Sequence, residues 1–258
     1  MGDVICTSGP FDRPFEEQHS GVSVAAVIAG TFQYRSANGL EMMTPGSLLL
    51  GNPGDCFECG HEHAAGDRCV AFRYEPAFFE RIAADVGARR GPARFRASRV
   101  TPLRATSPLV ARAAAAAVTA LALSWEELAV ELAAAAVRLT AGGSPARLAA
   151  PSAAVARVTE SVRRIADDPG ARWSLTRLAA SARQSPFTYL RTFQRITGVT
   201  PHQFILRARL RDAAFRLLAG DAKVIDVALA AGFGDLSNFN AAFRAEFGVS
   251  PRAYRARG

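Results

Sequence analysis

The sequence predicts an α+β chain, with a small antiparallel β-barrel or sandwich first, helices after it, and an all-α C-terminal domain at the end. Three observations carry this. Short apolar runs bounded by turn residues fill residues 1 to about 76. Near the other end one stretch is written twice, as Ser185–Pro201 (SPFTYLRTFQRITGVTP) and Asp235–Pro251 (DLSNFNAAFRAEFGVSP). Charge divides the same way: residues 152–258 hold 17 basic and 8 acidic side chains, net +9, whereas residues 1–151 hold 14 and 15, net −1. At 258 residues, two compact domains are the natural expectation. A basic domain joined to a neutral one points to a polyanion partner for the first only.

The N-terminal strands are VSVAAVIAG before Thr31, TFQYRS before Asn38 and Gly39, SLLLGN before Pro53 and Gly54, and CVAFRY before Glu75. Their even spacing favours a small barrel or sandwich. Within this half the phrase CFECGHEHAAGDRC, Cys56–Cys69, is dense in metal-ligand types. On an extended strand Phe57, Cys59, His61 and His63 share one face, with Cys56 joining from the preceding turn and Cys69 from the next strand. Thiolate and imidazole suit zinc, copper or iron, so Cys56, Cys59, His61, His63 and Cys69 are candidate ligands for zinc or another transition metal. Two further readings stay open. The histidines face solvent while the cysteines are buried small hydrophobes, or the thiols sense redox state with Arg68 and Arg73 as the neighbouring cations.

After Glu75 the pattern turns helical: PAFFERIAADVG, then SPLVARAAAAAVTALAL, then SWEELAVELAAAAVRLTAGG. Ser124 and Glu127 stand at capping-box spacing, and Leu128, Leu132 and Leu139 form a stripe with Ala135 between. One reading of that stripe is a helix packed on its own barrel. Gly142, Gly143, Ser144 and Pro145 mark a linker. The expected divisions are 1–105, 106–141 for the helical pair, 142–152 for the linker, and 153–258.

Each repeated copy opens on a helix cap, Ser185 before Pro186 and Asp235. Tyr189, Phe193 and Ile196 make an apolar stripe in the first helix, as do Phe239, Phe243 and Phe247 in the second. The opposite faces carry Phe187, Thr188, Leu190, Arg191, Gln194 and Arg195, and Ser237, Asn238, Asn240, Ala241 and Arg244. A shorter helix precedes each: LTRLAASA, capped by Ser174, before the turn at Arg183 and Gln184, and KVIDVALAA before Gly232, Phe233 and Gly234. Ala179 and Ala228 sit where two helices approach closely. Short helix, tight turn and second helix with a polar outer face is the helix-turn-helix plan, whose second helix enters the major groove. A helix from Thr200 to about Gly220, roughly 27 Å long, holds the two reading heads about one DNA turn apart, ~34 Å. Arg191 is suited to a bidentate contact with guanine and Phe187 to a thymine methyl. Arg195, Arg207 and Arg209 are placed as phosphate contacts, which position without specifying.

Residues 155–256 resemble the DNA-binding domain of the AraC/XylS family of bacterial transcription regulators. The likeness is carried by SLTRLAASARQSPFTYLRTFQRITGVTPHQFILRARL and VIDVALAAGFGDLSNFNAAFRAEFGVSPRAY, including the turn GF, the phrase SNF and both G-V-S/T-P ends. Two positions depart from the family pattern: Ala241, where arginine is frequent, and Leu190, where a polar side chain is common. The resemblance implies a cupin-like β-barrel as the N-terminal effector domain. It also implies that the helical pair dimerises the regulator or couples its domains, with double-stranded DNA, a small-molecule or metal effector, a second copy of the chain and RNA polymerase as partners.

No signal peptide or membrane span is expected from the sequence, which implies a cytoplasmic, nucleoid-associated protein. In that compartment four cysteines read as thiols or ligands before disulfides. No paired carboxylates or nucleophile triad lie near them, so no catalytic residues are expected. The competing classes are a metal- or thiol-dependent cupin enzyme, a methyl-acceptor repair protein carrying a DNA-binding domain, and an interaction protein that retains the fold.

Overall fold

A computed structural model describes residues 1–88, 94–118, 124–141 and 150–256. The chain runs through β1 (Gly2–Cys6), β2 (Phe15–Gln18), β3 (Val22–Gly30), β4 (Phe32–Ser36), β5 (Gly39–Met43), β6 (Leu48–Gly51), β7 (Cys56–Gly60), β8 (Asp67–Tyr74), α1 (Pro76–Asp85) and β9 (Arg99–Val100). Helices α2 (Ser107–Val118) and α3 (Trp125–Thr140) follow. Then come α4 (Ser152–Asp167), α5 (Leu175–Ser181), α6 (Pro186–Thr197), α7 (Pro201–Ala219), α8 (Val224–Ala230), α9 (Leu236–Phe247) and α10 (Pro251–Arg255). The expected linker residues Gly142–Pro145, and residues 119–123 of the helical run expected from Ser107, lie outside the described residues. None of the described helices is long and apolar enough to cross a membrane.

The closed, cupin-like β-barrel is not formed. The strands make two open antiparallel sheets, in the orders β1-β8-β3-β6-β9 and β2-β7-β4-β5, and among the described residues no ladder joins the edges of one to those of the other. A barrel closes only when its edge strands pair, and here one edge of each sheet packs against a helix. Strand β5 packs against α6, and β9 packs against α3. The corner between the sheets is sharp: Gly30, at φ +75°, turns the chain out of β3, and a Cβ there would lie 2.2 Å from the Gly66 carbonyl oxygen. Only glycine takes this corner without strain or clash.

Strand β3 reads as a continuous apolar run because both of its faces are buried. Val22, Val24 and Ala26 join Leu48, Leu50, Val70 and Phe72 under α1 and α3, where they meet Phe79, Ile82, Leu128 and Leu132. On the other face Ala25 and Val27 meet Phe32, Tyr34, Met43, Cys59 and Cys69 between the sheets. Leu128 and Leu132 of the expected stripe are thus spent on the chain's own core, whereas Leu139 is 38 % exposed. The α3 cap forms as the spacing predicts, Ser124 Oγ accepting from the Glu127 backbone N–H.

The C-terminal helices enclose two cores joined by α7. Tyr189, Phe193 and Ile196 of α6 pack with Val155, Val158, Val162 and Ile165 of α4 and with Phe204, Ile205 and Ala208 from the first half of α7. Leu210, Ala213, Ala214 and Leu217 from its second half pack with Val227, Phe239, Phe243 and Phe247. Serving cores on different sides leaves α7 without a single apolar stripe.

Candidate functional site

The two helix-turn-helix units are built alike up to the turn. The α5 and α8 ends both pass through a left-handed residue, Arg183 (φ 52°) and Gly232 (φ 83°). The backbone N–H groups of Gln184 and Phe233 then donate to the carbonyls of Ala179 and Ala228, each at 3.0 Å. Gly234 is the extra residue that lengthens the second turn before its cap. Ser185 Oγ accepts from the Thr188 backbone N–H and donates to Thr188 Oγ1 at 2.9 Å, while Asp235 accepts from the Asn238 backbone N–H at 2.7 Å.

With Tyr189, Phe193 and Ile196 fully buried, α6 turns Phe187, Thr188, Arg191, Gln194 and Arg195 to solvent and leaves Leu190 half-buried. These exposed residues and Thr192 line a surface concavity of about 580 Å³. Within it the Arg191 guanidinium lies 5.7 Å from the centroid of the Phe187 ring. That cation–π contact holds a 67 % exposed phenylalanine beside a charged fork. On α9, Ser237, Asn238, Ala241 and Arg244 are exposed and Asn240 is half-buried. The second face is smaller and carries one charge where the first carries two.

Arg207 and Arg209, expected as phosphate contacts, are half-buried and engaged with the protein. Arg207 donates to the Pro102 carbonyl at 2.9 Å and lies 3.5 Å from Glu246 Oε1, and Arg209 donates to the carbonyls of Pro169 and Ala171. Burial lowers the pKa of both guanidiniums. Sequence reasoning missed the contacts that join the two halves of the chain. Arg99, 8 % exposed, donates to the carbonyls of Met42 at 2.6 Å and Ile196 at 3.0 Å and pairs with Glu41 at 3.0 Å. Arg211 donates to the Pro45 carbonyl at 3.3 Å, and burial depresses its pKa to about 10. A charged residue inside an apolar run, as Glu41 is in GLEMM, was the one available signal.

The Cys/His phrase folds into a different grouping from a single strand face. His61 follows β7 and donates from Nε2 to Asp67 Oδ1 at 2.7 Å; Cys69 Sγ donates to Asp67 Oδ2 at 3.4 Å. Cys6, which pairs with Asp67 across the β1–β8 ladder, completes a group. The ligand atoms of Cys6, His61 and Asp67 all lie within 4.8 Å of one another, a set able to coordinate a metal ion. The other candidates point elsewhere. Cys56 is exposed, Cys59 is buried between the sheets, and His63 Nε2 reaches Ser152 Oγ of α4 at 3.4 Å. Burial first, and the Asp67 carboxylate next, push the Cys59 and Cys69 thiols up. That disfavours the thiolate a redox sensor needs.

Comparison with known proteins agrees with both halves. Residues 3–137 match the AraC-like ligand binding domain and residues 178–257 match a helix-turn-helix domain. The HTH-type transcriptional regulator MtrA of Neisseria gonorrhoeae is 31 % identical over 102 residues, 40 % of this chain and 34 % of that protein. The HTH-type transcriptional activator RhaS of Klebsiella pneumoniae is 40 % identical over 78 residues, 30 % of this chain and 28 % of that protein. The chain thus spans about a third of the length of these relatives. Among solved structures, the DNA-binding domain of AdpA in complex with a target DNA is 32 % identical, covering 39 % of this chain and 90 % of that one at a TM-score of 0.38. ToxT from Vibrio cholerae O395 is 14 % identical, covering 99 % of this chain and 97 % of that one at a TM-score of 0.39. With more than half of its length matched by the first of these domain models and the duplicated helix-turn-helix beyond it, the chain belongs to the AraC-like family.

Proposed function

We propose that this protein is a sequence-specific DNA-binding transcription regulator, not an enzyme, whose N-terminal half senses an effector. The observation that carries the reading is the α6 face, where two arginines, a glutamine, a threonine and an exposed phenylalanine stand together on a rigid helix that a fully buried aromatic stripe fixes in place. In the major groove the Arg191 guanidinium reads guanine O6 and N7 while the Phe187 ring meets a thymine methyl. Arg195 and Arg244 contact phosphate, and Thr188, Gln194, Ser237, Asn238 and Asn240 supply the polar remainder. Ala241 leaves the second head with fewer base contacts, so α6 dominates specificity.

Supporting this, the relatives MtrA and RhaS are an HTH-type transcriptional regulator and an HTH-type transcriptional activator. In this reading residues 1–105 are the regulatory part, 106–141 a coupling pair, 142–152 a linker and 153–258 the DNA-binding part. Effector binding shifts how the N-terminal half grips α6 and α7, and a homodimer with RNA polymerase contact completes the regulator.

Selection of genomic fragments by the purified full chain at a stated salt concentration, with Arg191→Ala alongside, tests it. The expected result is one motif with two sub-sites about a helical turn apart, blurred at a single base in the variant by ~1–3 kcal/mol of lost discrimination. Uniform weak binding without a motif overturns the reading.

A further inference from the structure

We propose that Cys6, His61 and Asp67 form a binding site for one divalent transition ion of the zinc class. The donor set is one sulfur, one imidazole nitrogen and one carboxylate oxygen. Hard ions such as magnesium and calcium prefer oxygen alone, whereas a mixed S/N/O set suits zinc. Bond lengths of ~2.0–2.3 Å around a tetrahedron put neighbouring ligand atoms about 3.3–3.8 Å apart. Here every pair already lies within 4.8 Å, so loading requires a contraction of about one ångström, within the reach of side-chain rotation.

Three features mark the cluster as built. The ligands come from both sheets: Cys6 ends β1, Asp67 opens β8 as its direct register partner on the same ladder, and His61 follows β7 in the other sheet. An ion at this point would bridge the two open sheets, between which no ladder forms among the described residues. His61 and Asp67 are buried, their side chains 2 % and 8 % exposed, a costly place for a carboxylate whose partners are an imidazole and a thiol. Cys69 Sγ, 3.4 Å from the second carboxylate oxygen, donates to Asp67 and braces it. Asp67 also lines a cavity of about 400 Å³ shared with Ala64, Gly66 and, on α4, Val162 and Arg163.

The test uses the full chain, reduced and stripped with chelator, titrated with cobalt(II) as a spectroscopic probe and with zinc against a chromophoric chelator. About one equivalent per chain is expected, with a sulfur-to-cobalt charge-transfer band that Cys6→Ser abolishes. Zinc affinity should fall on the order of tenfold or more in His61→Ala and Asp67→Asn. Cys56→Ser, whose thiol is exposed away from the cluster, should bind as the parent does. Circular dichroism separates loss of ligand from loss of fold. Absence of stoichiometric binding by the parent chain overturns the proposal without any variant, and an undiminished band in folded Cys6→Ser overturns the ligand assignment. None of these readouts depends on DNA.

Discussion

His19 illustrates how much chemistry one side chain carries without any motif to announce it. Its ring stacks on Phe57 at 4.3 Å, and its nitrogens share hydrogen bonds with Tyr34 Oη at 2.8 Å and Ser23 Oγ at 3.2 Å. Burial lowers its pKa below the ordinary 6.5; Asp55 opposes this and Arg73 adds to it. A histidine whose folded pKa is depressed contributes stability in full above its unfolded value, and loses it as pH falls toward the folded value. Urea unfolding stability should therefore be level above about pH 6.5 and decline as the pH falls below it, with a shallower decline in His19→Gln. Equal slopes in the two proteins would remove His19 as the cause. Arg191 is the contrasting residue. Its exposure followed from helical spacing alone, because the buried stripe of its own helix dictates which face is left.

At the scale of elements, the repeated copies allow a controlled comparison. Gly198 and Gly248 end α6 and α9 in the same left-handed conformation, at φ 81° and 75°. An alanine at either place costs about 1–2 kcal/mol for its backbone alone. A Cβ on Gly248 meets nothing within 4 Å, but one on Gly198 would fall 2.1 Å from Thr101 Cγ2. Gly198→Ala should thus destabilise clearly more than Gly248→Ala in urea denaturation. Matching costs would mean that the α6–α7 corner does not press on the segment after β9. The two glycines are equivalent in sequence, and only the packing of the first against the N-terminal half distinguishes them. The Cys/His phrase failed as a strand face for a related reason: β7 ends at Gly60, so His61 and His63 leave the strand's alternation and diverge.

Over the whole molecule, the two halves meet through polar groups as well as apolar ones. Arg99 and Glu41 pair with side chains 4 % and 7 % exposed, and Arg99 also holds the Ile196 carbonyl at the end of α6. Burial raises the Glu41 pKa and lowers that of Arg99, so for each partner desolvation outweighs attraction to the other. Such a pair adds little net stability, yet removing one member strands the other. Glu41→Gln should cost about 3 kcal/mol in urea unfolding of the full chain, and a change below about 1 kcal/mol would show that the pair is not buried in solution. The same interface takes Arg207 to the Pro102 carbonyl and Arg211 to that of Pro45. Two arginines of the DNA-binding part are therefore engaged by residues outside it, a coupling that no local pattern could reveal.

Strands β3, β4, β6 and β8, the caps at Ser124, Ser185 and Asp235, and the faces of α6 and α9 were determined by the chain's own sequence, whereas β1, β2, β5 and β9 carried no such local signal. Each of the former depends on residues a few positions apart, through caps, alternation and the period of a helix. Whether the strands close into a barrel depends instead on what covers β5 and β9, namely α6 and α3. The ligand cluster depends on the β1–β8 register that sets Cys6 against Asp67. Burial of Arg99, Arg207 and Arg211 depends on how the halves dock. These are long-range contacts between residues that sequence spacing does not relate, so only the tertiary structure decided them.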